Sequence, residues 1–252
     1  NVVLKAYRGL WRFAEPLLKR HKRLKEDFEE RLVPDGWPAM ATGRAAFRNF
    51  SAPASLRIWI QAASGGEAWL LHSLLPALVE AFSEHPVLVS RPLHILCTTC
   101  TRQGMEILSK LPDPIPMIPP PQPDCDPDEY EPPFVQNAFI FTRYFPLDNP
   151  DIRDKAMRRA DPHLLALLET ALWPGLLAAA KNLAVPVLLA PGRMTPRRLW
   201  RYRLIRSLSP YHPPYSALAL PDAARPLLSR HFAHDPRFST HSTLHVRFID
   251  SD

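Results

Sequence analysis

One stretch limits the folds open to this chain: Trp59-Ile-Gln-Ala-Ala-Ser-Gly-Gly-Glu67. Residues 56–62 are apolar with few interruptions, the pattern of a strand buried on both faces. Ser64, Gly65 and Gly66 then turn the chain. Leu70, Leu71, Leu74, Leu75, Leu78, Val79 and Phe82 follow at i, i+3, i+4 spacing, which predicts a helix to about Phe82 with that stripe buried. A strand, a glycine turn and a helix with a carboxylate in its first turn belong together in open α/β sheets. Ligands there collect outside the carboxyl ends of the strands.

Glu67 has two readings. Ser64-x-x-Glu67 has capping-box spacing, in which each side chain satisfies an orphan amide of the helix start. The same carboxylate beside a glycine turn is also a candidate general base. Spacing alone leaves both open.

Downstream, strands are predicted at 93–98, 138–144, 164–168 and 185–190, and helices at 103–111, 152–159 and 175–182. Residues 195–207 read as a strongly basic helix, and 217–220 and 244–248 as short final strands. The alternation predicts an α/β fold with a parallel, doubly wound sheet. Residues 112–133, dense in proline and acidic, predict an insertion with no regular element. The expected division is an amphipathic helical segment over 1–50 and the α/β domain over 51–252. Residues 2–32 read as helical, broken or kinked at Pro16. Their apolar face carries Tyr7, Leu10, Trp11 and Leu17, and Arg8, Arg12, Lys19 and Arg20 are among their basic residues. Such a segment either lies in a membrane interface or packs on the domain with its charges solvated.

Eight glycines against thirty prolines make for stiff loops, and 252 residues suffice for one large domain or two small ones. The net charge of +6 favours an anionic partner: nucleic acid, phosphorylated glycolipid or an acidic membrane surface. The chain has neither an aromatic-plus-basic platform motif nor a recognisable helix-turn-helix, which argues against nucleic acid. Cys97, Cys100 and Cys125 form no disulfide framework, which favours a reducing compartment. Cys97-x-x-Cys100 invites a redox or zinc reading, but no second cysteine pair completes a zinc site. His231, His234, His241 and His245 fit no ligand spacing. No metal or cofactor is expected, and no apolar run reaches the eighteen residues of a membrane span.

Ala62-Ala63-Ser64-x-Gly66-Glu67 resembles the Ala-Ser-x-Gly-Glu motif of the bacterial Kdo transferases, which add 3-deoxy-D-manno-octulosonic acid to lipid A. Further matches keep the family's order. Thr98-Thr99-Cys100-Thr101 with Gly104 is similar to its Thr-Thr-x-Thr-x-Thr-Gly turn, with Gln103 at the last threonine. Phe145-Pro146-Leu147-Asp148 is similar to Leu-Pro-Leu-Asp. Glu169-Thr170-Ala171-Leu172-Trp173-Pro174 is similar to Glu-Thr-Glu-Leu-Trp-Pro, and Gly192-Arg193-Met194-Thr195 to Ala-Arg-Leu-Ser. Glu30-Arg31-Leu32 resembles the Glu-Arg-Leu/Tyr-Gly before the first strand, with Val33-Pro34 in place of the glycine. Val246-Arg247-Phe248 resembles the end of the family's first domain, with Arg247 at its lysine.

The resemblance implies two Rossmann-like domains, the glycosyltransferase-B architecture, of which this chain corresponds to the N-terminal half. The first domain binds the lipid A acceptor. The CMP-Kdo donor would be held only by a C-terminal domain outside the chain. Glu67 then becomes the general base and Glu169, at a strand's carboxyl end, a second candidate catalytic carboxylate. Ser64, Gly65, Gly66, Thr99, Thr101 and Arg193 become acceptor-binding residues, Arg193 by bidentate pairing with a lipid A phosphate. Ala171 replaces the family's second glutamate. The resemblance places the protein in lipopolysaccharide biosynthesis, at the cytoplasmic face of a Gram-negative inner membrane. A rival reading is a non-catalytic module binding lipid A or anionic membrane, which keeps the fold without the activity.

Overall fold

The apolar run at the centre of the sequence forms β1 (Leu56–Ala62), and six of its seven residues are buried. The computed structural model describes residues 2–21, 24, 27–33, 37, 55–85, 87–119, 135–168, 173–189 and 215–218. In chain order these include α1 (Val2–Lys19), a 3-10 turn (Glu30–Leu32), β1, α2 (Gly65–Glu84), β2 (Leu93–Thr99), α3 (Arg102–Leu108) and β3 (Ile115–Met117). There follow β4 (Gln136–Tyr144), α4 (Pro150–Ala160), β5 (Leu164–Leu167), α5 (Pro174–Asn182), β6 (Val187–Leu189) and β7 (Tyr215–Leu218).

The seven strands lie in the order β3-β4-β2-β1-β5-β6-β7. All neighbours pair in parallel except β3, which runs antiparallel to β4. Without β3, the order read along the chain is third, second, first, fourth, fifth, sixth. That is the Rossmann arrangement, whose direction reverses at β1. The fold is therefore a doubly wound, Rossmann-like α/β sheet, as expected of the half-architecture that the resemblance implies. Leu56 pairs with Leu93 and Ala62 with Thr99 on one side of β1; Ile58 to Gln61 pair with Leu164 to Leu167 on the other.

Alternation along the strands divides the core into two layers. On one face Ile58, Ile60, Ile95 and Cys97 meet Ala68, Leu71, Leu75 and Val79 of α2. On the other, Trp59, Leu96, Leu165 and Leu167 meet Ala156, Met157 and Ala160 of α4 and Leu176 and Ala180 of α5. Trp59 is fully buried, with Trp37 edge-on at 5.6 Å and Phe145 at 6.4 Å. Each such side chain contributes roughly 1.5–3 kcal/mol by leaving water.

Three expectations are corrected. Pro16 does not break α1, which runs on to Lys19; a proline so near the end removes one hydrogen bond from a helix with little left to complete. The helical reading to residue 32 fails beyond that point, since Glu30–Leu32 is a 3-10 turn. The segment 112–133 does hold a regular element, because Ile115–Met117 pairs with β4. Its Pro116 is tolerated because β3 is the sheet's edge strand. Residues 120–133, the basic helix expected at 195–207 and the strand expected at 244–248 lie outside the described residues.

Candidate functional site

Where β1 ends, Ser64 adopts the extended conformation of an N-cap (φ −127°, ψ 172°) and its Oγ accepts the Glu67 amide at 3.3 Å. Glu67 reaches back: Oε2 accepts from the Ala63 amide, and Oε1 accepts from the Ser64 hydroxyl at 3.3 Å. The capping box is real, but its return arm lands one residue upstream of the usual N-cap amide. Glu67 is 9% exposed. These two bonds fix the orientation of the carboxylate at the start of α2.

The second turn packs beside the first. Thr101 is the N-cap of α3, its Oγ1 accepting the Gly104 amide at 3.0 Å. A Cβ on Gly104 would lie 2.1 Å from Thr99 Oγ1, so only glycine fits there. Thr99 is fully buried, and its hydroxyl has no hydrogen-bond partner among the described residues. A Cβ on Gly65 would lie 2.7 Å from the Gln103 carboxamide; the side chain that replaces the family's threonine thus covers the first residue of α2. Ser64, Gly65, Gly66, Glu67, Thr99 and Thr101 therefore meet at the carboxyl edge of β1 and β2, with Ser64 and Gly66 exposed. Glu169, Ala171 and Arg193 lie outside the described residues.

Beneath this edge runs a buried polar chain that the sequence reading missed. Trp59 Nε1 donates to Thr98 Oγ1 at 2.7 Å, Thr98 donates to Gln61 Oε1, and Gln61 Nε2 donates to Cys100 Sγ at 3.5 Å. Its only sequence signal is Gln61, a polar interruption of an apolar strand. Burial pushes the Cys100 thiol up to about 11, against the opposing pull of Arg153 and Arg31; Glu67 pushes the same way as burial. Cys97 and Cys100 pack into opposite cores, which ends the redox reading of the pair. No group of three potential ligands for a metal occurs among the described residues.

Three motifs prove to be mutual supports. Glu30 Oε1 accepts the Tyr144 amide at 3.0 Å. Arg31, 4% exposed, donates to the carbonyls of Phe145 at 3.1 Å and Cys100 at 2.9 Å, and pairs with Asp27 at 2.6 Å. Val33, where the family has glycine, is buried in the left-handed region at φ 58°, a conformation that costs a residue of this type about 1–2 kcal/mol. Asp148 then caps α5, accepting the amides of Gly175 and Leu176 at 3.1 Å each. It also accepts the Tyr7 hydroxyl at 2.7 Å and Arg153 Nε at 3.1 Å. Asp148 and Trp173-Pro174 thus meet across one helix start, and Gly175 is required because a Cβ would lie 2.6 Å from the Asp148 carbonyl oxygen.

Residues 26–220 match the protein family described as 3-Deoxy-D-manno-octulosonic-acid transferase (kdotransferase). A relative from Arabidopsis thaliana, described as a probable mitochondrial 3-deoxy-D-manno-octulosonic acid transferase, is 27% identical over 206 residues. The alignment covers 79% of this chain and 36% of that protein, so the chain spans little more than a third of its relative's length. With the Rossmann strand order, the glycine turn bearing Glu67 and a match across most of its length, the chain belongs to the 3-deoxy-D-manno-octulosonic-acid transferase family.

Proposed function

We propose that this chain forms the acceptor-binding half of a glycosyltransferase that moves Kdo from CMP-Kdo to lipid A, with Glu67 as general base. The observation that carries it is the carboxylate's place: at the start of α2, on the carboxyl edge of β1 where the strand order reverses, with exposed Ser64 and Gly66 in front. In the reaction the acceptor hydroxyl loses its proton to Glu67 as its oxygen attacks the anomeric carbon. The bond from that carbon to the CMP phosphate breaks, and CMP leaves with the electron pair. The bonds from Ala63 and Ser64 hold the carboxylate in one orientation. The resemblance adds Glu169 as a second catalytic carboxylate, Arg193 as a lipid A phosphate ligand and a further domain as holder of CMP-Kdo.

The membrane part of this proposal rests on α1. Leu10, Phe13 and Leu17, at helical spacing, are 65%, 79% and 69% exposed. The opposite side docks on the domain through Tyr7 to Asp148 and Arg8 to Asp151 at 2.9 Å. No helix among the described residues is long and apolar enough to cross a membrane. An exposed apolar stripe with basic flanks instead suits the plane of an anionic interface, here the cytoplasmic face of a bacterial inner membrane.

The test is Kdo transfer from CMP-Kdo to a lipid A precursor by the chain joined to its donor domain. Glu67→Gln should lower the rate by about 10²- to 10⁴-fold, the usual worth of a general base. Unchanged transfer would overturn the assignment. Ala171 favours a second reading, a binding module without activity. Inactivity of the joined wild-type protein, with transfer appearing in Ala171→Glu, would establish it.

A further inference from the structure

We infer that Arg153 is the floor of a buried anion-binding site, its two terminal nitrogens set to receive an oxyanion, phosphate or carboxylate. Arg153 on α4 is fully buried. Its Nε donates to Asp148 Oδ1 at 3.1 Å, while Nη1 and Nη2, equally buried, have no hydrogen-bond partner among the described residues. Asp148 pairs with Arg153 through Nε alone, and its other bonds go to Tyr7 and the two amides of α5. The flat face of the guanidinium is covered, lying 3.5 Å from the Phe145 ring centre, with the Trp173 ring at 5.9 Å. What is left is the forked edge with its four N–H bonds.

Leaving charged donors dry and unpaired is costly, so a site of this kind calls for an acceptor. A guanidinium fork matches two oxygens on one centre, as in a phosphate or carboxylate. A second buried guanidinium touches the same Phe145. Arg31 binds the Phe145 and Cys100 carbonyls, and its Nε is likewise buried without a partner among the described residues. Both guanidinium groups act on the Cys100 thiol. Tyr7, a half-buried residue of α1, is a neighbour of Arg153 across the shared Asp148. Nothing in the Phe145-to-Asp148 motif points to position 153, and the site stands whether or not the chain transfers a sugar.

Calorimetry on the 252-residue chain, with inorganic phosphate and with acetate against matched chloride, tests the proposal. Saturable binding of at least one anion is expected. Arg153→Lys keeps the charge and reach to Asp148 but loses the fork, and should weaken that binding by about 10-fold or more. Arg57→Lys, a buried arginine at the opposite end of β1 bound to Asp161, should leave it unchanged. A glucosamine 1-phosphate arm separates the sources: binding well above that of inorganic phosphate assigns the anion to a sugar ester, and equal binding to the free ion. Absence of saturable binding, or equal affinity in Arg153→Lys, would overturn the site. Should Arg153→Lys fail to fold, nitrogen-15 spectra of wild-type arginine side chains decide. A buried Nη pair that shifts with phosphate supports the proposal, and one that ignores it refutes it.

Discussion

Glu67 holds the turn at the start of α2 through both of its carboxylate oxygens. In Glu67→Gln the carboxamide oxygen can still accept from the Ala63 amide, and its NH₂ can donate to Ser64 Oγ, reversing the present bond. Stability should change by less than about 1 kcal/mol. Urea unfolding of the variant checks this, and a larger loss would mean that the rate effect sought in the joined protein is partly a folding effect. Gly104 is the opposite case, since its role is wholly steric. Gly104→Ala places a methyl 2.1 Å from Thr99 Oγ1, and overpacking of this kind costs about 1–3 kcal/mol. Thr99→Ala removes that oxygen, so the double variant should recover part of the loss; strictly additive urea midpoints would disprove the contact. Thr99 and Thr101 are legible in sequence as a turn, but their dependence on Gly104 is a fact of packing.

At the scale of elements, the α5 start depends on a residue 27 positions upstream of Gly175. Asp148→Ala removes the cap of α5, the docking bond of α1 and the partner of a buried Arg153. Stranding such a charge is expected to cost about 3–5 kcal/mol, read as a fall in the urea midpoint. The effect should exceed that of Thr101→Ala, which removes a simple cap worth about 1 kcal/mol. Helix α1 carries the membrane prediction. Binding of the chain to vesicles containing anionic lipid should weaken as salt rises, because exposed charges are screened within about 10 Å at 0.1 M. Phe13→Glu, at a position of α1 that is 79% exposed, should nearly abolish binding without altering the urea midpoint. Equal binding to neutral vesicles, or indifference to Phe13→Glu, would remove α1 from the interface.

Over the whole molecule, stability should fall in alkali through its thiols. Burial raises Cys97 to about 12 and Cys100 to about 11, from an ordinary value near 9. A pKa raised on folding contributes stability that is fully present below the unfolded value and is lost as pH rises through the folded one. Urea stability should therefore drop between about pH 9 and 12. Arg153, lowered to about 10 chiefly by burial, acts with the opposite sign. Cys97→Ala should flatten the drop, and an identical pH profile in that variant would show that other groups cause it. The sequence by itself determined the central strand, the glycine turn and α2, because each is written in a local period of two or 3.6 residues or in contiguous turn chemistry. It also placed a carboxylate in the first turn of α2. Only the tertiary structure decided that Asp148 caps α5, that Arg31 braces two loops, that the two cysteines face different cores and that Arg153 is buried with terminal nitrogens unpartnered among the described residues. Those contacts join residues tens of positions apart. They follow from strand order and register, which are set when both faces of the sheet close over their cores and which no local pattern records.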